Sequence, residues 1–265
     1  MAVFIVILGS SLVSIAEAET SHPLLTTDAK AGLYGRTYPV GVQAVGTVGL
    51  DYLLWGNSAQ WKYGYLRGAF NLATSAVVNR VGFELQAFPI SILGLSAGYD
   101  WGWRNFTPKY LDCNTFDCLG RVDRFYTKLS AVGAYHGWIL SLNARYENLH
   151  SFESAKPFFD EVTLLVGRSS GENVLTYNPA LLYTLNEDWK VGVTSLYSRA
   201  LDTGDFTHLY GPIATYTWDT VYQVLAGVGL NRSPVVHSGV TAFFMFQYNL
   251  QSSLSIADLG ARIRK

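Results

Sequence analysis

Five histidines and two cysteines are the residues from which chemistry would first be sought in this chain. A hydroxyl nucleophile needs a histidine base within hydrogen-bond reach, and a β-strand places on one face only residues an even number apart. His237 and Ser238 are adjacent, so they point to opposite faces. His136 and Ser141 differ in parity, as do Asp205 and His208. Each pair fails on a single strand, and pairing between strands stays open. The histidines fit strand ends and loops, and the chain is expected not to be an enzyme. Asn105-Phe106-Thr107 and Asn231-Arg232-Ser233 match a glycosylation acceptor, a pattern short enough to arise by chance.

Cys113 and Cys118 share one segment, Cys-Asn-Thr-Phe-Asp-Cys. Two thiolates with no nearby histidine or third cysteine fall short of the ligand set of tetrahedral zinc. A local disulfide is the simpler reading in an oxidising compartment, and no metal or cofactor is expected. The N-terminus points to such a compartment. Met1 to Ile15 is apolar apart from Ser and Gly and runs into Ala16-Glu17-Ala18, a small-x-small cleavage pattern. Residues 1–18 are therefore read as a signal peptide, although no Lys or Arg precedes the apolar core. The rival, a membrane anchor, would need roughly 20 apolar residues.

Removing residues 1–18 takes away one acid, Glu17, and leaves 19 Lys and Arg against equally many acids. A neutral mature chain is a poor partner for nucleic acid. No later stretch approaches about 18 consecutive apolar residues, so helical spans are not expected. The chain has 17 Tyr, 14 Phe, 7 Trp and 25 Gly with only 15% charged residues, a composition rich in strand formers. Soluble domains usually carry about 25% charged residues.

From Val42 onward the residues alternate between two chemistries with period two. Val81, Phe83, Leu85 and Ala87 oppose Arg80, Gly82, Glu84 and Gln86. Leu93, Leu95, Ala97, Tyr99, Trp101 and Trp103 oppose Gly94, Ser96, Gly98, Asp100, Gly102 and Arg104. Trp138, Leu140, Leu142, Ala144 and Tyr146 oppose Ser141, Asn143, Arg145 and Glu147. Soluble sandwiches alternate too, but these segments run for roughly 10 to 14 residues, nearer the length of a tilted membrane strand. Their apolar sets end in Tyr or Trp, as in the aromatic girdles of a lipid-facing band. The expected fold is all-β, a closed antiparallel transmembrane β-barrel.

About twelve segments can be counted: Val42 to Trp55, Gln60 to Leu72, Val77 to Phe88, Ile90 to Arg104, Val122 to Tyr135, Trp138 to Leu149, Glu161 to Arg168, Asn173 to Leu185, Trp189 to Leu201, Phe206 to Trp218, Thr220 to Leu230 and Val236 to Leu250. This makes residues 19–41 a lead-in, 42–250 the barrel and 251–265 a tail or last strand. Tyr177 to Leu185 resembles Tyr210 to Trp218 as a weak internal repeat, and the proline in each suggests a bulge. The count has a flaw. The two long connections, Trp103 to Val122 and Leu149 to Glu161, follow even-numbered strands, which puts them in the periplasm, where turns are short. Extra strands at Lys30 to Tyr38 and Ser253 to Ile263 would make about fourteen and move both loops outside.

The charged residues of the polar face are expected to line the lumen: Arg67, Arg80, Glu84, Asp100, Arg104, Arg124, Lys128, Arg145, Glu147, Glu161 and Lys190. They can brace the wall as ion pairs or act as a charge filter. With the signal ending Ala16-Glu17-Ala18, the alternation and the aromatic rims, the chain resembles porin-like outer-membrane proteins of Gram-negative bacteria over nearly all its mature length. The resemblance implies the outer-membrane bilayer and the outer-membrane insertion machinery as partners. It departs at the C-terminus, where Ala261-Arg262-Ile263-Arg264-Lys265 replaces the aromatic ending common in such barrels.

A narrow channel for small polar solutes or ions is the leading functional reading. A filled barrel that displays its loops is the second, and a membrane-embedded hydrolase the third. The two-face argument makes a direct prediction. Leu142→Arg should impair folding or insertion, because an arginine near the midplane on the lipid face costs roughly 2–4 kcal/mol. Asn143→Arg, one residue away, should still insert. Heat-modifiable gel migration of the two variants measures this, and equal damage would indicate a strand buried on both sides.

Overall fold

The computed structural model describes residues 25–56, 62–75, 77–105, 112–152, 156–218, 221–234 and 238–251. The chain forms β1 (Leu25–Thr37), β2 (Val40–Gly56), β3 (Tyr63–Ser75), β4 (Val78–Ile90), β5 (Leu93–Arg104), β6 (Gly120–Tyr135), β7 (Trp138–Ser151), β8 (Phe158–Asp160), β9 (Leu165–Gly167), β10 (Glu172–Thr184), β11 (Trp189–Ala200), β12 (Phe206–Trp218), β13 (Tyr222–Arg232) and β14 (Gly239–Gln251). All but β8 and β9 pair with their neighbours in chain order and close, β14 against β1, into a 12-strand barrel. Every ladder in it is antiparallel.

Turn chemistry sets several hairpins. Between β6 and β7 the two central residues, His136 and Gly137, have φ of 46° and 84°. Positive φ at both positions is the turn that matches the twist of paired strands. It makes His136 a turn residue.

The alternation sorts side chains as expected. Leu85 and Leu95 are each 58% exposed, Leu142 45%. Glu84, Ser96 and Asp100 on the same strands are buried. A band of large exposed apolar residues around a packed interior is suited to hydrocarbon. Aromatic pairs rim it: Trp189 lies 4.8 Å from Tyr216, Trp218 4.8 Å from Tyr222, and Tyr222 5.0 Å from Tyr248 at one end. At the other end Tyr99 lies 5.0 Å from Trp101. A closed ladder lets the wall amides pair strand to strand instead of with water, as a membrane span requires.

Three expectations are corrected. Residues 25–37, placed in the lead-in, form a full barrel strand whose residues pair on both sides, Leu33 with Ala44 and with Phe246. Its outward positions include Ala29, Ala31 and Gly35, too small to stand out as an apolar stripe. Glu161 to Arg168 is not a wall strand; it belongs to the β8–β9 hairpin, whose two short strands form a sheet separate from the barrel. The prolines cause no bulge. Pro179 stays in register with Leu142 and Pro212 with Val193, and each ring interrupts pairing only toward the following strand. The register shifts lie at Ala29/Lys30, Leu53/Trp55 and Ala87/Ile90. The signal segment 1–18 and the extra strand at Ser253 to Ile263 lie outside the described residues.

With β1 in place both long connections, after β5 and after β7, leave from one end of the barrel. The short turns β4–β5 and β6–β7 lie at the other, where β1 begins and β14 ends. Since long loops of such barrels face the exterior, a peptide tag inserted at Asn114 should be labelled by antibody on intact cells. Labelling only after the outer membrane is opened would reverse the orientation.

Candidate functional site

The site is the lumen, in three tiers. Nearest the short turns, Leu53, Tyr63, Tyr65 and Phe88 form a buried cluster, with Ile92 and Val132 packed against it. Tyr65 and Phe88 stack with centroids 4.4 Å apart and planes 9° from parallel. Gly94 makes room for this, since a Cβ there would overlap the Phe88 ring.

The middle tier is ionic. Arg67 binds Asp28 through two hydrogen bonds of 2.9 and 2.8 Å and lies 3.2 Å from Asp51. A Cβ at Gly49 would intrude on this bidentate pair. Glu84 accepts from the Tyr126 hydroxyl (2.7 Å), from Lys128 (3.0 Å) and from the Gln86 amide. Arg145 lies 2.7 Å from Glu147, 3.7 Å from Asp100 and 3.8 Å over the Tyr126 ring. Arg124 lies 3.4 Å from Glu147. Buried pairs of this kind cohere only because each charge is met by several partners.

The outer tier is the connection between β7 and β10, which folds back into the mouth. Its Asp160 completes the coordination of Arg124 at 2.6 Å. Arg104 donates to the carbonyls of Asp117, Leu119 and Phe159. Arg36 reaches the Glu161 carbonyl at 3.3 Å. From the opposite wall Thr207 donates to the Thr163 carbonyl at 2.7 Å and Ser233 to that of Leu164 at 3.3 Å. Phe158 packs with Leu149, Leu165, Val174 and Ala200. The hairpin therefore spans the lumen.

The turn of this hairpin holds Leu164 at a φ of 59°, a left-handed conformation that costs an L-residue roughly 1–3 kcal/mol. Burial against Cys118 and Phe159 holds it there. Cys113 and Cys118 are joined by a disulfide with Cα atoms 5.6 Å apart. Their loop lies on the hairpin, with a bridge from Asp117 to Phe158 and a 2.9 Å hydrogen bond from Lys156 to the Asn114 carbonyl.

Two acids of the hairpin are shifted in opposite directions. Burial pushes Asp160 up, but Arg124 and hydrogen bonds from the Thr163 hydroxyl and amide outweigh it and hold it below the usual carboxylate range. Burial and then neighbouring Asp160 push Glu161 up to about 7. One carboxylate oxygen of Glu161 is buried with no hydrogen-bond partner.

Of the charged residues expected inside, Arg67, Arg80, Glu84, Asp100, Arg104, Arg124, Lys128, Arg145 and Glu147 come together here on β3 to β7. Glu161 reaches the lumen from the hairpin rather than the wall. Lys190 faces inward beside Thr184 and Thr215 on the other half of the barrel, apart from the ionic tier. Sequence reasoning missed Asp28, which lay in the supposed lead-in, and Asp160. It missed Asp51 although its parity matches Gln43 and Val45, which line the lumen. It also could not find the 2.9 Å hydrogen bond between Ser195 Oγ and His208 Nε2, made across β11 and β12. That pair faces outward beside Tyr197 and Tyr210, and among the described residues no carboxylate orients the imidazole. His237 lies outside the described residues.

A closed antiparallel barrel with an apolar exterior, aromatic rims and a charged interior has the architecture of a transmembrane β-barrel. No protein-family model matches the sequence, and no curated protein matches it. Among solved structures it is similar to the KdgM porin in complex with disordered oligogalacturonate, at 14% identity and a TM-score of 0.46 over 85% of this chain and 100% of that one. The translocator domain of the autotransporter NalP from Neisseria meningitidis aligns at 15% identity and 0.41, covering 87% and 90%. The NanC porin aligns at 11% identity and 0.42, covering 86% and 100%.

Removing one partner of a buried ion pair costs about 3–5 kcal/mol. Asp160→Asn should therefore loosen the hairpin while leaving the wall intact. Hydrogen exchange at the amides of residues 158–167 is expected to accelerate by about two orders of magnitude or more, with β3 to β7 unchanged. Unchanged exchange in the hairpin would mean that Arg124 does not hold it.

Proposed function

We propose that the chain is a narrow channel for small polar solutes or ions across the outer membrane, gated by the β8–β9 hairpin, and that it carries no enzymatic activity. The observation that carries this reading is a cavity of about 300 Å³ beneath the hairpin, lined by Tyr34, Gln43, Thr47, Asn71, Arg80 and Arg145 among others. Polar side chains surround open space there, whereas a barrel built only as a scaffold would fill it. The wall opposite the ionic tier supports passage too, because its inward side chains include the uncharged Thr176, Ser198, Thr215, Asn231 and Thr241. A solute passing between a densely charged wall and a mostly uncharged polar one keeps hydrogen-bond partners without being trapped between two densely charged surfaces.

A second reading, a filled barrel that displays its loops, draws support from the aromatic cluster at one end and the hairpin at the other. Planar-bilayer recording separates the two. Wild type should show infrequent small steps, and both Asp160→Asn and Cys113→Ser/Cys118→Ser should show larger or longer ones. Absence of steps in all three would leave the filled barrel as the function.

The gate should respond to pH. Glu161 is held near 7 when docked and titrates in the ordinary carboxylate range when released, so docking takes up a proton between those values. Docking is thus most favourable below the ordinary glutamate range and weakens as pH rises toward 7. Asp160, held low, works in the opposite sense and loses its contribution only as pH falls below the usual aspartate range. The open fraction should rise between pH 5 and pH 8, and Glu161→Gln should flatten that rise. An unchanged pH profile in Glu161→Gln would assign the response to another group.

A further inference from the structure

The outward faces of the described barrel strands carry charge at Arg121, Asp123, Arg199 and Arg232, all toward the long-loop end. Arg121 and Asp123 pair with each other, and the Tyr99 hydroxyl also donates to Asp123. Arg199 and Arg232 are exposed, and among the described residues neither makes an ion pair or side-chain hydrogen bond. A guanidinium that meets no acid among the described residues, on a wall otherwise presented to lipid, is suited to an anion.

Between the two arginines stands His208. It lies directly opposite Tyr197 on β11 and Arg232 on β13, and Arg199 lies opposite Phe206, two residues along β12. The imidazole is held by Ser195 at 2.9 Å and by the rings of Tyr210 at 4.8 Å and Tyr197 at 5.7 Å. Neighbouring strands are about 4.8 Å apart and residues along them about 3.4 Å. Arg199 and Arg232 therefore start about 12 Å apart, within reach of one anion by two arginine side chains. Arg binds phosphate oxygens through paired N–H groups. The fixed imidazole adds a ring nitrogen between them, and the aromatic side chains belong to the girdle that sits at headgroup depth.

We infer that Arg199, His208 and Arg232 form a docking site for the phosphate of a lipid headgroup in the leaflet at the long-loop end. The site rests on the orientation of the barrel in the membrane but not on channel activity, and its test reads lipid binding alone. A lipid is favoured over free phosphate because the patch opens onto the apolar band, with Val193, Tyr210 and Leu230 exposed beside it to receive acyl chains.

The test is native mass spectrometry of the full chain in detergent. The probes are lipid A bearing both phosphates, the same lipid A with both phosphates removed enzymatically, and inorganic phosphate. Wild type should retain the phosphorylated lipid and release the dephosphorylated one. Retention should fall about fivefold in Arg199→Gln and in Arg232→Gln, and about thirtyfold in the double variant. Heat-modifiable migration checks that each variant is folded; removing charge from a lipid-facing wall is not expected to impair insertion, and each single variant gives its own reading. Equal retention of the two lipids, or of one lipid by wild type and double variant, would overturn the site. Binding of inorganic phosphate without retention of the lipid would overturn its assignment to a headgroup.

Discussion

An amide facing hydrocarbon has no water to bond, and each one left unpaired costs several kcal/mol. The ladder between β1 and β14, in which Lys30 to Arg36 meets Phe243 to Asn249, is therefore the interaction on which the rest of the structure depends. Without it two edges would stand open in the membrane. With it, the period-two geometry of each strand becomes a division of the whole molecule into inside and outside. A one-residue slip in any ladder would turn that strand's inner charges, such as Arg67 or Arg124, into the lipid.

Closure also decides what the inner charges must do. The wall brings Arg67, Arg80, Arg104, Arg124, Lys128 and Arg145 into one half of a lumen with limited water, where the strand acids are Asp28, Asp51, Glu84, Asp100 and Glu147. Glu147 is shared by Arg124 and Arg145. The β8–β9 hairpin supplies what the wall lacks, Asp160 for Arg124 and a backbone carbonyl for Arg104. Electrostatic need thus draws the hairpin into the mouth, and Phe158 and Leu165 then gain apolar partners on β7, β10 and β11. A plug held in part by a buried ion pair can be loosened by a change in protonation, unlike one held by packing alone.

The outer face follows the same rule with lipid in place of the lumen. Arg121 and Asp123 settle their charges between themselves, whereas Arg199 and Arg232 do not, and they flank a histidine locked by serine and two tyrosines. The position at a rim rather than at mid-wall keeps the cost of such charges small, since it falls to about 0–1 kcal/mol near the interface. The lumen and this patch are separated by the barrel wall, so they can be altered independently.

The sequence by itself determined the two-faced strands, the aromatic rims, most of the inner charges and the nearness of Cys113 to Cys118. These follow from covalent geometry that repeats every two residues or acts over a few. What it left open was decided by partners distant along the chain. Leu25–Thr37 has a weak pattern of its own and is a strand because β2 and β14 flank it. Phe158 and Phe159 would be buried in a wall or in a plug, and only Arg124, Arg104 and Thr207 around them decide for the plug. Ser195 and His208 meet only once β11 and β12 are set in register. Alternation says which way a side chain points, but the identity of what it meets there depends on register and closure, which are properties of the assembled sheet.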